Sequence, residues 1–203
     1  ASRLNRSGAA LACAIDPAAP EGSVPEAEDG ATLALEAGYA VFRGETLCGF
    51  LDTDAALGAD LLLGFAPQAS YVLPDGSGGT VTVQLHTAKA SLSPVRNGGE
   101  TAVRIAVRVR AGVTESSGAD TADAEMLARL EDGLSRAVAA QIEAAAEASK
   151  ALDADFLELW RVLPEVKDEG VLASLRTLVQ TESVLERSYD IYGSVHGEER
   201  SHG

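Results

Sequence analysis

The chain is poor in aromatic residues, cysteine, histidine and basic residues. These shortages limit the kind of core, the metal sites and the partners that it can have. Aromatic residues make up only 4% of the 203 residues although 46% are hydrophobic, so a core must be built mainly from alanine, valine and leucine. A chain of this length and hydrophobic content can bury a core without metal or disulfide support. We therefore expect one globular domain.

The two cysteines, Cys13 and Cys48, cannot supply the four ligands of a structural zinc site. Each lies in an apolar stretch, and isolated cysteine is among the most buried residue types. The pattern favours two buried free thiols, and a disulfide between them stays open as the alternative.

Basic residues are outnumbered by acidic ones, 16 to 31, which gives a formal net charge of −15. Such a chain repels a phosphate backbone, so nucleic acid is excluded as a partner. No hydrophobic run approaches the ~20 residues that cross a bilayer, and no segment has the form of a secretory signal. Residues 1–8 are predicted to be a leftover linker.

Motifs for catalysis and for cofactors are also missing. There is no Gly-x-Ser-x-Gly elbow, and the glycine-rich stretch 74–80 lacks the Gly-Lys-Ser/Thr ending of a phosphate-binding loop, so it predicts a turn. His86, His196 and His202 have neither metal-ligand spacing nor a nearby nucleophile. We therefore predict no catalytic, cofactor-binding or metal-binding residue and no enzymatic activity.

Three acidic residues near one predicted helix start allow two interpretations. Asp153 and Asp155, with Glu158 one turn later, could form an acid–base pair or a cation site. Aspartate at such a position more commonly caps a helix, because its carboxylate accepts hydrogen bonds from free backbone N–H groups. We favour the cap.

The first half of the chain reads as strands. Residues 10–16 and 31–51 predict three of them, the last two joined in a hairpin at Gly44 and Glu45. Asp52 or Thr53 can cap a short helix that follows. Two long strands, joined by a turn at "RNGG", are predicted by apolar residues at alternate positions. These positions are Val81, Val83, Leu85, Val103, Ile105, Val107 and Val109.

The second half changes to the helical period. Leu127, Leu130, Leu134, Val138 and Ile142 form one stripe of a long helix that ends near residue 152. Shorter helices are predicted at 156–163 and 168–180, and a last strand at 184–195. Strands, then helices, then a returning strand predict an α+β domain: one mainly antiparallel sheet, covered by the long helix and shorter helices, to which the C-terminal strand returns.

Three arginines share one face of the second long strand. Arg104, Arg108 and Arg110 form the single basic stripe on this acidic chain. The stripe could meet an acidic patch of a partner or lipid headgroups. A solvated strand face that discourages edge pairing is the more common explanation.

The predicted hairpin, a long strand ending in glutamate and an aspartate before a helix together form a pattern of short motifs. Its residues are Gly38, Ala40, Val41, Phe42, Gly49, Leu51, Asp52, Glu115 and Asp155. With these residues and this order of elements, the chain resembles the C-terminal domain of the Ger(x)C family, the lipoprotein C subunits of nutrient germinant receptors in spore-forming bacteria. The order and spacing match from about residue 9 to residue 197, and the hairpin matches the segment that is typical of the family.

The resemblance implies a single C-terminal domain over 9–197. Residues 198–203, at the C-terminus, are predicted to be a flexible tail. It implies a non-enzymatic role in receptor assembly or signalling together with the A and B membrane subunits. It also implies a lipid anchor on the full-length protein, at the outer face of the spore inner membrane. The alternative hypothesis is an extracytoplasmic module that binds a small ligand between sheet and helix.

Overall fold

The computed structural model describes residues 3–4, 8–16, 35–65, 69–97, 100–116 and 123–186. In these residues the strands form two four-stranded sheets. The first sheet contains, in order, β1 (Arg3–Leu4), β2 (Ala9–Asp16), β3 (Leu35–Arg43) and β4 (Thr46–Phe50). The second contains β5 (Ser70–Pro74), β6 (Thr80–Asn97), β7 (Glu100–Ser116) and β8 (Arg176–Glu186). The helices are α1 (Thr53–Leu63), α2 (Ala124–Ala151) and α3 (Val171–Ser174).

Neighbouring strands are antiparallel except for β7 and β8, which run parallel. A parallel pair needs a long crossover connection, and the segment containing α2 supplies it. The predicted α+β class, with a mainly antiparallel sheet, one long covering helix and a returning C-terminal strand, is confirmed.

The core lies between the second sheet and α2. All five residues of the predicted helical stripe are buried, and so are the alternate apolar residues of β6 and β7. Each fully buried leucine, valine or isoleucine contributes about 1.5–3 kcal/mol relative to an exposed one. Asp123 begins α2, where its carboxylate accepts a hydrogen bond from the Glu125 N–H at 3.0 Å. The periodicity therefore predicted both the helix and its buried face.

The prediction of a single sheet is wrong. β4 leads at once into α1, which packs against β3 of the first sheet and β6 of the second as well as against α2. In the part of the chain that is described, no strand of the first sheet is hydrogen-bonded to a strand of the second, and α1 lies against both sheets. The second sheet does hold both long strands and the final strand, covered by α2.

The segment after α2 also differs from its prediction. In place of a helix at 156–163 there are two 3₁₀ turns, Leu159–Arg161 and Pro164–Lys167, because Glu158 has a left-handed backbone (φ 60°) that stops helix propagation. The helix predicted at 168–180 is only the short α3. The last strand lies at Arg176–Glu186, and its predicted remainder, 187–195, is outside the described residues.

The two cysteines are not joined in a disulfide, Cys13 is exposed and Cys48 is half-buried. Full burial of both thiols is therefore wrong. Cys13 borders an open cleft between the sheets, and the Cys48 thiol lies on the edge strand β4, where it contacts the Thr46 carbonyl oxygen at 3.7 Å. Among the described helices, none is both long and apolar enough to cross a membrane.

Candidate functional site

The residues that carry the resemblance gather mainly in the β3–β4 hairpin. Val41 and Ala40 are buried, and the register of the hairpin shifts between Val41 and Phe42. Gly38 has φ +101°, and a Cβ there would lie 2.9 Å from the Leu51 carbonyl oxygen. Only glycine adopts such a backbone without strain and without that contact. Gly38 therefore allows Leu51 to follow the hairpin closely.

Gly49 has a different task in the same hairpin. A Cβ at this position would lie 2.7 Å from Cδ2 of Leu152, the residue that ends α2. The absence of a side chain lets the end of the long helix pack on β4. Gly49 thus permits contact between the first sheet and the end of the helix that covers the second sheet.

Leu51 and Asp52 connect the hairpin to α1. The Leu51 side chain is buried in the core, and the Asp52 carboxylate accepts a hydrogen bond from the Ala55 N–H at 2.8 Å. The predicted cap is confirmed and belongs to Asp52. The helix therefore starts at a fixed place after the hairpin, and the role of the Asp52 carboxylate is to cap it.

The three carboxylates near the end of α2 do not act as one group. Asp155 is buried and accepts hydrogen bonds from the backbone N–H groups of Leu159 and Trp160, each at 2.9 Å. Asp153 forms an ion pair with Arg43, and Glu158 forms one with Arg161 at 2.8 Å. The carboxylate of Asp155 caps the 3₁₀ turn, in agreement with the favoured interpretation.

Burial raises the pKa of Asp155, while its hydrogen bonds from Trp160 and Leu159 oppose that rise. A carboxyl with a raised pKa could in principle serve as an acid. However, both of its oxygens hold backbone N–H groups in place, which is a structural task.

The hairpin is tied to this capped turn by Arg43. Its guanidinium contacts both the carboxylate and the main-chain oxygen of Asp153, the latter at 3.3 Å. A polar hollow of about 360 Å³ lies beside this link, with Asp155 and Lys167 in its wall. The described residues contain no cluster of three or more histidine, cysteine or acidic side chains able to hold a metal ion. The link between Arg43 and Asp153 was not visible in the sequence, since 110 residues separate the two.

The remaining sequence-predicted residues lie on the second sheet. Glu115 is exposed near the end of β7, far from the hairpin in sequence and in another sheet. Arg104, Arg108 and Arg110 project from the exposed face of β7. Arg108 pairs with Glu182 at 2.6 Å, and Arg110 pairs with Glu186 at 2.7 Å. The basic stripe is thus partly neutralised by the neighbouring strand β8.

A larger cleft of about 690 Å³ opens between the two sheets. Most of the residues that line it are apolar, and its charged and hydroxyl side chains are those of Tyr39, Glu158 and Arg161. These groups already have partners: the Tyr39 hydroxyl donates to Asp60 at 2.7 Å, and the two charged side chains pair with each other. The volume is that of a small-ligand site, but the polar groups do not converge on its interior.

The sequence interpretation missed the residues that hold α1 against α2. A Cβ at Gly58 would overlap the Gln141 carbonyl group and lie 3.0 Å from the Ala145 Cβ. The Gln141 side chain is buried and accepts a hydrogen bond from the Tyr71 hydroxyl at 2.7 Å. Burial raises the pKa of Tyr71 to about 12. A glycine inside an apolar helical pattern was the one signal available for this crossing.

His86 forms a contact of 3.2 Å with the Glu186 carboxylate on the exposed side of the second sheet. His196 and His202 lie outside the described residues. The glycine-rich stretch 74–80 is a turn organised by Asp75, whose carboxylate accepts the N–H groups of Ser77 and Gly79, each at 2.8 Å. The hydrogen bond that the Ser77 hydroxyl donates to Asp75, at 2.7 Å, lowers the pKa of Asp75 most, and the bonds from the Ser77 and Gly79 N–H groups lower it further.

Comparison with known proteins identifies the domain. No curated protein matches the chain. The crystal structure of the GerBC protein matches with a TM-score of 0.68 and 16% sequence identity, over 87% of this chain and 56% of GerBC. That similarity establishes a shared fold, and the chain spans about half the length of GerBC. A family model described as spore germination B3/GerAC like, C-terminal, matches residues 37–166. Because these residues are more than half of the sequence and include the hairpin and the capped turn, the chain belongs to the spore germination B3/GerAC-like C-terminal domain family.

Proposed function

We propose that this chain is a non-enzymatic domain of a nutrient germinant receptor C subunit and that it holds receptor subunits together when nutrients trigger spore germination. The match of the family model to residues 37–166 carries the proposal. The A and B membrane subunits are its proposed partners. The full-length protein is proposed to be lipid-anchored at the outer face of the spore inner membrane.

The tasks of the matching residues support a scaffold. Gly38 and Gly49 permit close packing, while Asp52 and Asp155 hold backbone N–H groups. Each of these roles shapes the domain, and none positions a reacting group. A scaffold of this kind acts through its surface, where Arg104, Arg108 and Arg110 are the proposed contact residues.

A pull-down against solubilised spore membranes tests the proposal. The tagged domain serves as bait, an unrelated domain of equal net charge serves as control, and the recovered proteins are identified by mass spectrometry. We expect the A or B subunit to be enriched by this domain and not by the control. Recovery of neither subunit would contradict the proposed function.

The cleft between the sheets supports a second candidate, a site for a small, mostly apolar ligand. Its volume of about 690 Å³ falls in the range of ligand sites. A ligand that binds only the folded domain raises its melting temperature. If a compound from a screen raised that temperature in wild type and failed to do so after Leu92→Trp, while no receptor subunit was recovered, this candidate would replace the first.

A further inference from the structure

The exposed face of the second sheet carries basic residues in neighbouring positions on β6 and β7. Lys89 lies directly opposite Arg108, and Ser93 lies opposite Arg104. All four project to the same side, because the residues between them on β7, such as Ile105 and Val107, point into the core. We name Lys89, Arg104 and Arg108, with the small residues between them, the basic saddle.

Two of these cations have no acidic partner in the part of the chain that is described. The Arg108 guanidinium is held by Glu182 at 2.6 Å, but neither Lys89 nor Arg104 forms an ion pair with a described residue. Both side chains are exposed. The chain has a net charge of −15, yet none of the acidic residues that the structure describes forms an ion pair with these two cations.

The placement of these cations lowers the stability of the isolated domain. Like charges directly opposite one another on neighbouring strands destabilise a sheet, and Lys89 faces Arg108 in this way. Glu182 lies on the other side of Arg108, on β8, and so relieves only one of the pair. An acidic group that approached from outside would relieve both.

The side chains between the cations on β6 and β7 are shorter than the cations themselves. Ser91 lies opposite Ala106, midway between the Lys89–Arg108 position and the Arg104 position. Arg108 follows Arg104 by four positions along β7, a distance of about 13 Å in a strand. Small side chains flanked by longer cations leave room for an acidic side chain to lie on the sheet and reach a cation at either end.

We propose that the basic saddle binds an acidic segment of a protein partner, with Lys89 and Arg104 as the cations that it neutralises. The identity of that partner as a receptor subunit rests on the proposed function. A protein fits better than an anionic membrane because the same face carries Glu100, Glu182 and Glu186. The acidic chain as a whole would be repelled by a uniformly negative bilayer, whereas a protein can place an acidic segment on the two cations and match both signs on the rest of this face.

The test compares two double charge reversals that change the net charge equally. Lys89→Glu with Arg104→Glu alters the saddle, and Arg129→Glu with Arg136→Glu alters exposed positions on α2 as the control. Binding to solubilised A and B subunits is measured for wild type and both variants, at low and at physiological salt. Melting temperatures confirm that both variants fold, since all four side chains are exposed. Vesicles of phosphatidylglycerol and phosphatidylcholine provide a membrane arm.

We expect the saddle variant to bind at least one subunit about tenfold more weakly than wild type, and wild-type binding to weaken as salt rises. The control variant should bind within about twofold of wild type. If the saddle variant bound as tightly as wild type, this inference would be overturned and the proposed function would stay intact. The same conclusion would follow if the control variant lost as much binding as the saddle variant. Loss of vesicle binding with unchanged subunit binding would assign the saddle to the membrane instead. Absence of subunit binding by wild type itself would overturn the proposed function.

Discussion

Several single residues of this domain matter for the path of the backbone. Gly38 and Gly49 are glycines because the Leu51 carbonyl and the Leu152 side chain occupy the space of a Cβ. Both carboxylate oxygens of Asp155 accept hydrogen bonds from backbone N–H groups, in a segment where no regular helix supplies acceptors for those groups. The short motifs that match the family therefore mark positions where the backbone must turn or pack closely.

Replacing Asp155 tests its capping role. Asp155→Ala should lower the free energy of unfolding by about 1–3 kcal/mol, because the N–H groups of Leu159 and Trp160 lose their acceptor away from water. Asp155→Asn should cost less, since the amide oxygen still accepts one hydrogen bond. Denaturant unfolding measures both values. Equal stability of wild type and Asp155→Ala would contradict the cap.

The pH dependence of the same position has a defined sign. Burial raises the pKa of Asp155 in the folded state, so the folded protein keeps this proton at pH values where the unfolded chain has lost it. The stability of wild type relative to Asp155→Asn should therefore fall as pH rises from about 4, and level off above the folded pKa. A relative stability that rises with pH would contradict the assigned direction.

Among the elements, the crossing of α1 and α2 depends most on one position. Gly58 lies against the main chain of Gln141, whose side chain is in turn held by Tyr71. The two helices can approach this closely only where one lacks a side chain. Since α1 also contacts both sheets, the crossing connects the two halves of the domain.

Gly58→Ala should destabilise the domain although alanine favours helices. The added Cβ overlaps main-chain atoms that cannot rotate away, and overpacking of this kind costs about 1–3 kcal/mol. Gly133→Ala in α2 is the matched control, because its Cβ would meet only Leu73 Cδ2 at an ordinary 3.8 Å. That variant should gain about 0.5–1 kcal/mol. Thermal unfolding of both separates the effects, and a stabilised Gly58→Ala would refute the close crossing.

Elements with a strong period were predictable, and irregular ones were not. The stripe of α2 and the alternation in β6 and β7 define their own buried faces, so sequence alone located them. The segment 153–175 depends on the left-handed backbone at Glu158 and on the Asp155 cap, which are set by tertiary contacts. The split into two sheets also escaped prediction, because hydrogen bonds between distant strands leave no local pattern.

The candidate site was predictable only in part. The hairpin motif located Gly38, Gly49 and Asp52 because special backbone positions select special residues. The Arg43–Asp153 link could not be predicted, since its members are brought together only by the fold. The basic stripe was visible, but its neutralisation by Glu182 and Glu186 depends on the parallel pairing of β8.

At the scale of the whole molecule, α1 packs against both sheets and crosses α2, and the second sheet has one exposed face. The chain spans about half of GerBC, so such a domain acts beside other parts of a longer protein in that relative. A surface with a few unneutralised cations on an acidic body favours directed association over indiscriminate binding. On the proposed function, we therefore expect the folded domain to be required for the nutrient response.

Germination of spores that carry variants of the full-length protein tests this requirement most directly. Gly58→Val, which introduces a larger clash at the helix crossing, should abolish or strongly slow the nutrient response of the proposed receptor. Gly133→Ala should leave that response unchanged. A normal nutrient response in Gly58→Val spores, with the domain shown to be unfolded, would contradict the account.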